Sequence, residues 1–296
     1  MKPAFLITID TEGDNLWSKS DTITTNNSNY LPRFHELCIK YKFRPTYLTN
    51  YEMAVCPIFK EFARNVIKSN TGEIGMHLHA WNSPPIINLT SNDYYYHPYL
   101  IEYDKKSIKS KIQFITELLE NTFQVKMLSH RAGRWAFNEY YAQQLVENGY
   151  KVDCSVTPYV SWKSHLGNPK ENGGSDFSDF NSHPYLIDLE NIKEPGNSEL
   201  LELPMTVVHK GPTPIIKRIN KLKKRNFISR VYKKAVPITM FRPGKSNLGA
   251  LLKIVRETVE NKFSYIEFML HSSEFMPGGS PVFKTEKDIE KLYSDL

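Results

Sequence analysis

The sequence predicts an α/β fold, a parallel sheet wrapped by helices, with its site at the mouth of a barrel. Two observations carry the prediction. Strand-like apolar runs alternate with helix-period segments along the chain, an order that builds parallel sheets. Polar residues also collect where those strands end: Asp10, His77 and His79, His130 and Arg131, Asp153, and His271. In a barrel of this kind all such ends open on one face, where active sites form.

The elements follow in order. PAFLITID reads as a buried strand. The next segment places Leu31, Phe34, Leu37, Cys38 and Tyr41 at helical spacing. RPTYLTN is a short strand, and PIFKEFARNVIKS a helix with Pro57 in its first turn. EIGMHLH is a strand. Ile108, Ile112, Ile115 and Leu119 share one face of a long helix. VKMLSHR is a strand, followed by a helix with Asn138 as N-cap and Gly149 at its stop. KVDCSV and ELLELPMTVV are strands, NLGALLKIVRETVENKF a helix, FSYIEFMLH a strand and TEKDIEKLYSDL a last helix. We read residues 1–296 as one domain with two additions. Residues 163–198, rich in Gly, Asn, Ser, Asp and Pro, form an irregular loop, and 211–245 form a basic insertion.

Composition narrows the class. The chain is 40% hydrophobic and 24% charged, as a soluble globular protein is. No apolar run approaches the ~18 residues of a membrane span. MKPAFLITID enters a strand at once, so no signal peptide is expected. Cys38, Cys56 and Cys154 are odd in number and widely spaced, which argues against a disulfide framework and for a reducing, cytoplasmic setting. The net charge of +6 is uneven: residues 217–234 hold nine Lys or Arg and no acid. That run reads as a solvated face, or as a contact with anionic lipid at the inner face of a membrane or with a substrate phosphate. No zinc-finger or RNP-type pattern stands beside it, so nucleic acid is not expected.

The chemistry lies in short constellations. His77 and His79, two apart on an extended segment, project to one side and suit a shared ion. Asp10 and Glu12 in TIDTEGD have the same spacing, and Asp14 adds a third carboxylate. Beside an ion, one carboxylate can serve as ligand and another can take a proton from water. Two histidines and one carboxylate meet the ligand count of a catalytic zinc, which keeps a fourth position open. His271 is the candidate acid, against the alternative of a hydrogen-bonded core histidine. Arg131 can hold a carboxylate base ionised, or form an ordinary ion pair. Asp153 either orients a histidine or caps its strand. Trp81, Trp135, Tyr159 and Trp162 lie near these motifs, to stack on sugar faces or to pack the core.

These residues resemble the polysaccharide deacetylases, the NodB-homology group also called carbohydrate esterase family four. TIDTEGD, EIGMHLHAW, SHRAGRW, VDCSVTPY and FMLHSSEFMPGGSP resemble its five motifs, in order, over residues 8–281. The resemblance implies a single-domain distorted (β/α)7-type barrel with long loop insertions. It implies a divalent metal, Zn2+ above others, on Glu12, His77 and His79. It makes Asp10 the base, Arg131 the residue that holds it, Asp153 the fourth motif's carboxylate and His271 the acid. Leu270 and Met269 would help shape the pocket for the acetyl methyl, and a backbone N–H near Tyr159 would help hold the oxyanion.

The sequence departs from the family pattern at three places. Thr11 separates two carboxylates that are usually adjacent, which keeps Asp14 as a spare ligand. The histidines are usually four apart, and Trp81 stands where the second would fall. Ala132 and Gly133 replace a common proline. The implied activity is removal of an acetyl group from an N-acetylated sugar, a nucleotide- or lipid-linked precursor of a bacterial surface polysaccharide whose phosphate would suit the basic run. The alternatives are an amidohydrolase for a small non-sugar amide, and a degenerate glycan-binding or membrane-surface scaffold.

Overall fold

A computed structural model describes residues 2–18, 22–209 and 238–296. The whole of the basic run 217–234, with its expected membrane or phosphate contact, lies outside the described residues. Strands β1 (Ala4–Thr11), β2 (Thr46–Thr49), β3 (Glu73–Leu78), β4 (Ser129–Ala132) and β5 (Val152–Asp153) are parallel neighbours in chain order. The sheet ends in an antiparallel pair, β6 (Tyr185–Asp188) and β7 (Asn191–Pro195). Its order places β8 (Leu201–Glu202) between β5 and β6, parallel to β5. A separate antiparallel pair, β9 (Val207–His209) and β10 (Ile238–Met240), lies outside the main sheet. The last strand, β11 (Tyr265–His271), returns beside β1 at the other edge.

Seven parallel strands thus curl into the expected (β/α)7-type barrel. Single residues bridge its open side. Met205 N donates to Val156 O at 2.9 Å, Phe241 N to Thr206 O at 2.9 Å, and Met269 N to Phe241 O at 3.2 Å.

Helices cover the outside: α1 (Leu31–Lys40), α2 (Tyr51–Val55), α3 (Pro57–Lys68), α4 (Asp93–Tyr96), α5 (Lys105–Phe123), α6 (Glu139–Glu147), α7 (Leu248–Glu260) and α8 (Glu286–Asp295). The expected caps form. Asn138 accepts from Tyr141 N at 2.9 Å, and Gly149 leaves the following turn at φ +87°. Alternation along β1 sends Ile7 and Ile9 outward into a core shared with Phe34, Phe59 and Ile112. Full burial of each such side chain contributes about 1.5–3 kcal/mol. The same alternation sends Thr8 and Asp10 inward, where Arg131 meets both.

Two expectations are revised here. ELLELPMTVV is not one strand: Pro204 supplies no N–H for the ladder, and the chain breaks into β8 and β9. Residues 163–198 are not wholly irregular, because β6 and β7 form a hairpin at their end. No helix among the described residues is long and apolar enough to cross a membrane. Cys38, Cys56 and Cys154 are buried free thiols.

Candidate functional site

Register brings the strand ends together. Asp10 pairs with His271 across β1 and β11, and His77 with Arg131 across β3 and β4. Above them opens a cavity of about 390 Å³ that includes Asp10, Glu12, His77, His79, Arg242 and His271 in its lining. This is the C-terminal face of the parallel strands, as the alternation of elements predicts.

Glu12, His77 and His79 converge. Glu12 Oε2 lies 3.4 Å from His77 Nε2 and 3.3 Å from His79 Nε2, and the two Nε2 atoms are 3.0 Å apart. All three residues are buried. Three donors held at about 2.0–2.1 Å in a tetrahedral set would stand about 3.3 Å from one another. The observed spacings fit a metal ion. The histidine orientation fits as well: Arg131 O lies 2.9 Å from His77 Nδ1, which donates to it and leaves the Nε2 lone pair facing the centre. Burial, then the nearby His77, pulls the His79 pKa well down, so that imidazole is neutral and able to ligate. Asp14 is not part of the set. Its carboxylate accepts from Thr24 Oγ1 and from Asn27 N, which ties down the loop after β1.

Arg131 is fully buried and organises the carboxylates. Nη1 donates to Asp10 Oδ1 at 2.6 Å, Nη2 to Thr8 Oγ1 at 2.8 Å and to Glu267 Oε1, and Nε to Cys154 O at 3.0 Å. Burial alone would raise the Asp10 pKa, but Arg131, His77 and His271 together lower it, so Asp10 stays ionised. Glu267 was not expected. Its pKa is raised, chiefly by burial, which Arg131 only partly offsets. A glutamate inside the apolar run YIEFML is the one sequence signal that pointed to it.

His271 faces the same space, its Nε2 3.9 Å from Asp10 Oδ2 and 3.9 Å from Glu12 Oε1. Two residues that sequence reading missed hold it. Arg242 Nη2 lies 3.0 Å from His271 Nδ1 and 2.9 Å from Glu274 Oε1, and His271 N donates to Glu274 Oε2 at 2.8 Å. A guanidinium only donates, so Nδ1 presents its lone pair and the ring proton sits on Nε2, toward Asp10 and Glu12. The carboxylate three residues on, in HSSE, was a local signal for Glu274; Arg242 had none.

Burial would raise the Glu274 pKa, but Arg242 and the hydrogen bond from the His271 backbone N–H bring it to about 2. Its folded value lies below its unfolded one. The pair therefore stabilises the fold above about pH 4.5, by at most about 3 kcal/mol, and that contribution fades as pH falls toward 2. In denaturant titrations, Glu274→Gln is expected to lose stability at pH 7 by up to that amount. The gap to wild type should narrow at pH 3, and a gap independent of pH contradicts the assignment.

Three expected site residues lie elsewhere. Asp153 points behind the sheet. It lies 2.5 Å from His130 Nδ1 and accepts from Ser155 Oγ at 2.8 Å, while Ser155 Oγ accepts from Ala132 N. It supports the end of β4 and does not reach the cavity. Leu270 neighbours His271, and period two puts it on the other face of β11, fully buried in the core. Tyr159 lines a different cavity, with Thr206 and Tyr265, and its N–H already donates to Phe177 O at 3.1 Å. That N–H is not available to an oxyanion.

Trp81, Trp135 and Trp162 do line the site cavity, joined by Trp17. Trp81 stacks between His79, at 4.3 Å, and His97, at 4.5 Å. Arg134 and Trp135 have φ of +54° and +62°, a left-handed backbone that costs non-glycine residues on the order of 1 kcal/mol each. Lys111, fully buried on α5, donates to Ala80 O, Ser83 O and Pro85 O at 2.8, 2.8 and 2.7 Å. It ties down the loop that follows the two histidines.

No protein-family model matches the sequence, and no curated protein matches it. Solved structures do. A candidate polysaccharide deacetylase from Mycobacterium smegmatis is 14% identical, covers 99% of this chain and 83% of its own, and gives a TM-score of 0.53. A candidate glycoside hydrolase/deacetylase from Parabacteroides distasonis is 11% identical over 92% of this chain and 62% of its own, with a TM-score of 0.51. A CE4 family pseudoenzyme from Bacillus anthracis is 11% identical over 99% of this chain and 59% of its own, with a TM-score of 0.43. At these identities the likeness is one of architecture: the chain has the curled α/β barrel of polysaccharide-deacetylase structures.

Proposed function

We propose that this chain is a metal-dependent hydrolase that removes the acetyl group from an N-acetylated sugar. One observation carries the reading. Glu12, His77 and His79 form a compact donor set, with the ionised Asp10 beside it and His271 facing both. A divalent cation held there, Zn2+ by preference, would lower the pKa of water and polarise an acyl oxygen.

The chain's own residues carry the proton steps. Asp10, kept ionised by Arg131, takes a proton as water adds to the acetyl carbon. The C–N bond then breaks, releasing acetate. His271, once protonated, gives its Nε2 proton to the departing nitrogen, and Glu274, 3.6 Å from Nδ1, balances the imidazolium charge. Trp135 and Trp162 bring aromatic surface to the cavity lining, which favours a carbohydrate over a small non-sugar amide. The finer proposal is a nucleotide- or lipid-linked precursor of a bacterial surface polysaccharide.

Elemental analysis combined with an acetate-release assay tests this. Wild type is expected to hold about one equivalent of divalent metal, as a single three-ligand site would. His77→Ala combined with His79→Ala should hold none and release no acetate. A wild-type protein without metal that gains no activity on adding Zn2+ would instead support a degenerate scaffold.

A further inference from the structure

All four tryptophans of the chain, Trp17, Trp81, Trp135 and Trp162, line one cavity. Its far wall is built by two loops, one after β3 and one after β5, and Arg134 staples them together. The guanidinium donates to His97 O in the first loop and to Leu166 O in the second. It also lies 4.0 Å over the ring of Tyr99, whose hydroxyl donates to His165 O at 2.7 Å. Below this, Glu102 accepts from Tyr99 N at 2.7 Å and from Asn168 N at 3.0 Å. Glycine at 174 lets the loops close, since a Cβ there would stand 3.0 Å from the Tyr99 hydroxyl.

A groove for the interior of a polymer must be open at both ends, so that the chain can run through. Here one side of the donor set ends in a hydrogen-bonded wall. The remaining volume of about 390 Å³ is at the small end of ligand pockets and admits about one or two pyranose rings. Trp17, 49% exposed and edge-on to His271 at 5.3 Å, lines the cavity beside the candidate acid.

We infer that the site takes a terminal or free acetamido sugar, and that the Arg134 clasp excludes the interior of a glycan chain. This rests on the deacetylase reading for its chemistry, but the closed wall is tested separately. Every tryptophan lies in the cavity, so intrinsic fluorescence reports binding without turnover. The probes are the disaccharide and the hexamer of N-acetylglucosamine. Wild type is expected to bind both with Kd values within about threefold, a difference under 1 kcal/mol. Mass spectrometry of the hexamer product should place the free amine at a chain end. Arg134→Ala, or the milder Tyr99→Phe, should tighten the hexamer relative to the disaccharide and admit internal deacetylation. A wild-type hexamer bound tenfold or more tighter, or deacetylated at internal units, overturns the inference while leaving the deacetylase reading intact. Quenching by neither probe overturns it as well. Equal binding with no acetate released supports the closed site and counts against the reaction.

Discussion

Asp10→Asn is expected to lower kcat by about 10³-fold while leaving the metal bound, since a positioned general base contributes about 10²–10⁴-fold. The amide keeps the shape of the carboxylate and can still accept from Arg131 through its oxygen, but it cannot take a proton. Asp10 lies outside the Glu12, His77 and His79 donor set, so metal content should not change. Single-turnover acetate release and elemental analysis on the same preparation separate the two effects. Loss of metal in this variant would make Asp10 a ligand. Retained turnover would remove it from the mechanism.

The second large effect falls on stability. Arg131→Met is expected to destabilise the fold by about 3–5 kcal/mol, the usual cost of breaking a buried ion pair from one side. The guanidinium is fully buried between Asp10 and Glu267, and both carboxylates are themselves buried, so its loss leaves them without a compensating charge. For a chain of this size the melting temperature should fall by roughly 10 °C. Activity should fall too, because the Asp10 pKa would rise without the guanidinium and the base would lose the group that orients it. Adding Glu267→Gln should recover part of the stability but none of the activity, since it removes one stranded charge and leaves Asp10 unpaired. Equal stability of the single variant and wild type, by calorimetry, would show that the network is not holding the barrel together.

The barrel was legible because its cause is local. Alternating strand and helix periods, capped by residues such as Asn138, dictate a parallel sheet whatever the distant contacts are. The donor set was legible for the same reason. Spacing of two at Asp10 and Glu12, and at His77 and His79, aims each pair to one side of its own strand end.

Leu270 and Asp153 show where that logic fails. Leu270 is one residue from His271, and adjacency in sequence became opposition in space once β11 was extended. Asp153 follows the pattern of polar residues at strand ends, yet it bonds with His130 on the outer face of the sheet. Tyr159 sits close to VDCSVTPY in the chain but belongs to another cavity.

By itself the sequence determined the fold class and which side chains could hold an ion, because both depend on periods of a few residues. Only the tertiary structure decided which charges meet. Arg242 and Glu274 on His271, Glu267 beneath Arg131, and Arg134 across two loops all join distant segments or turn on burial. The physical reason is that a charge is held by whatever lies within about 4 Å once water is excluded, and chain order does not encode that distance.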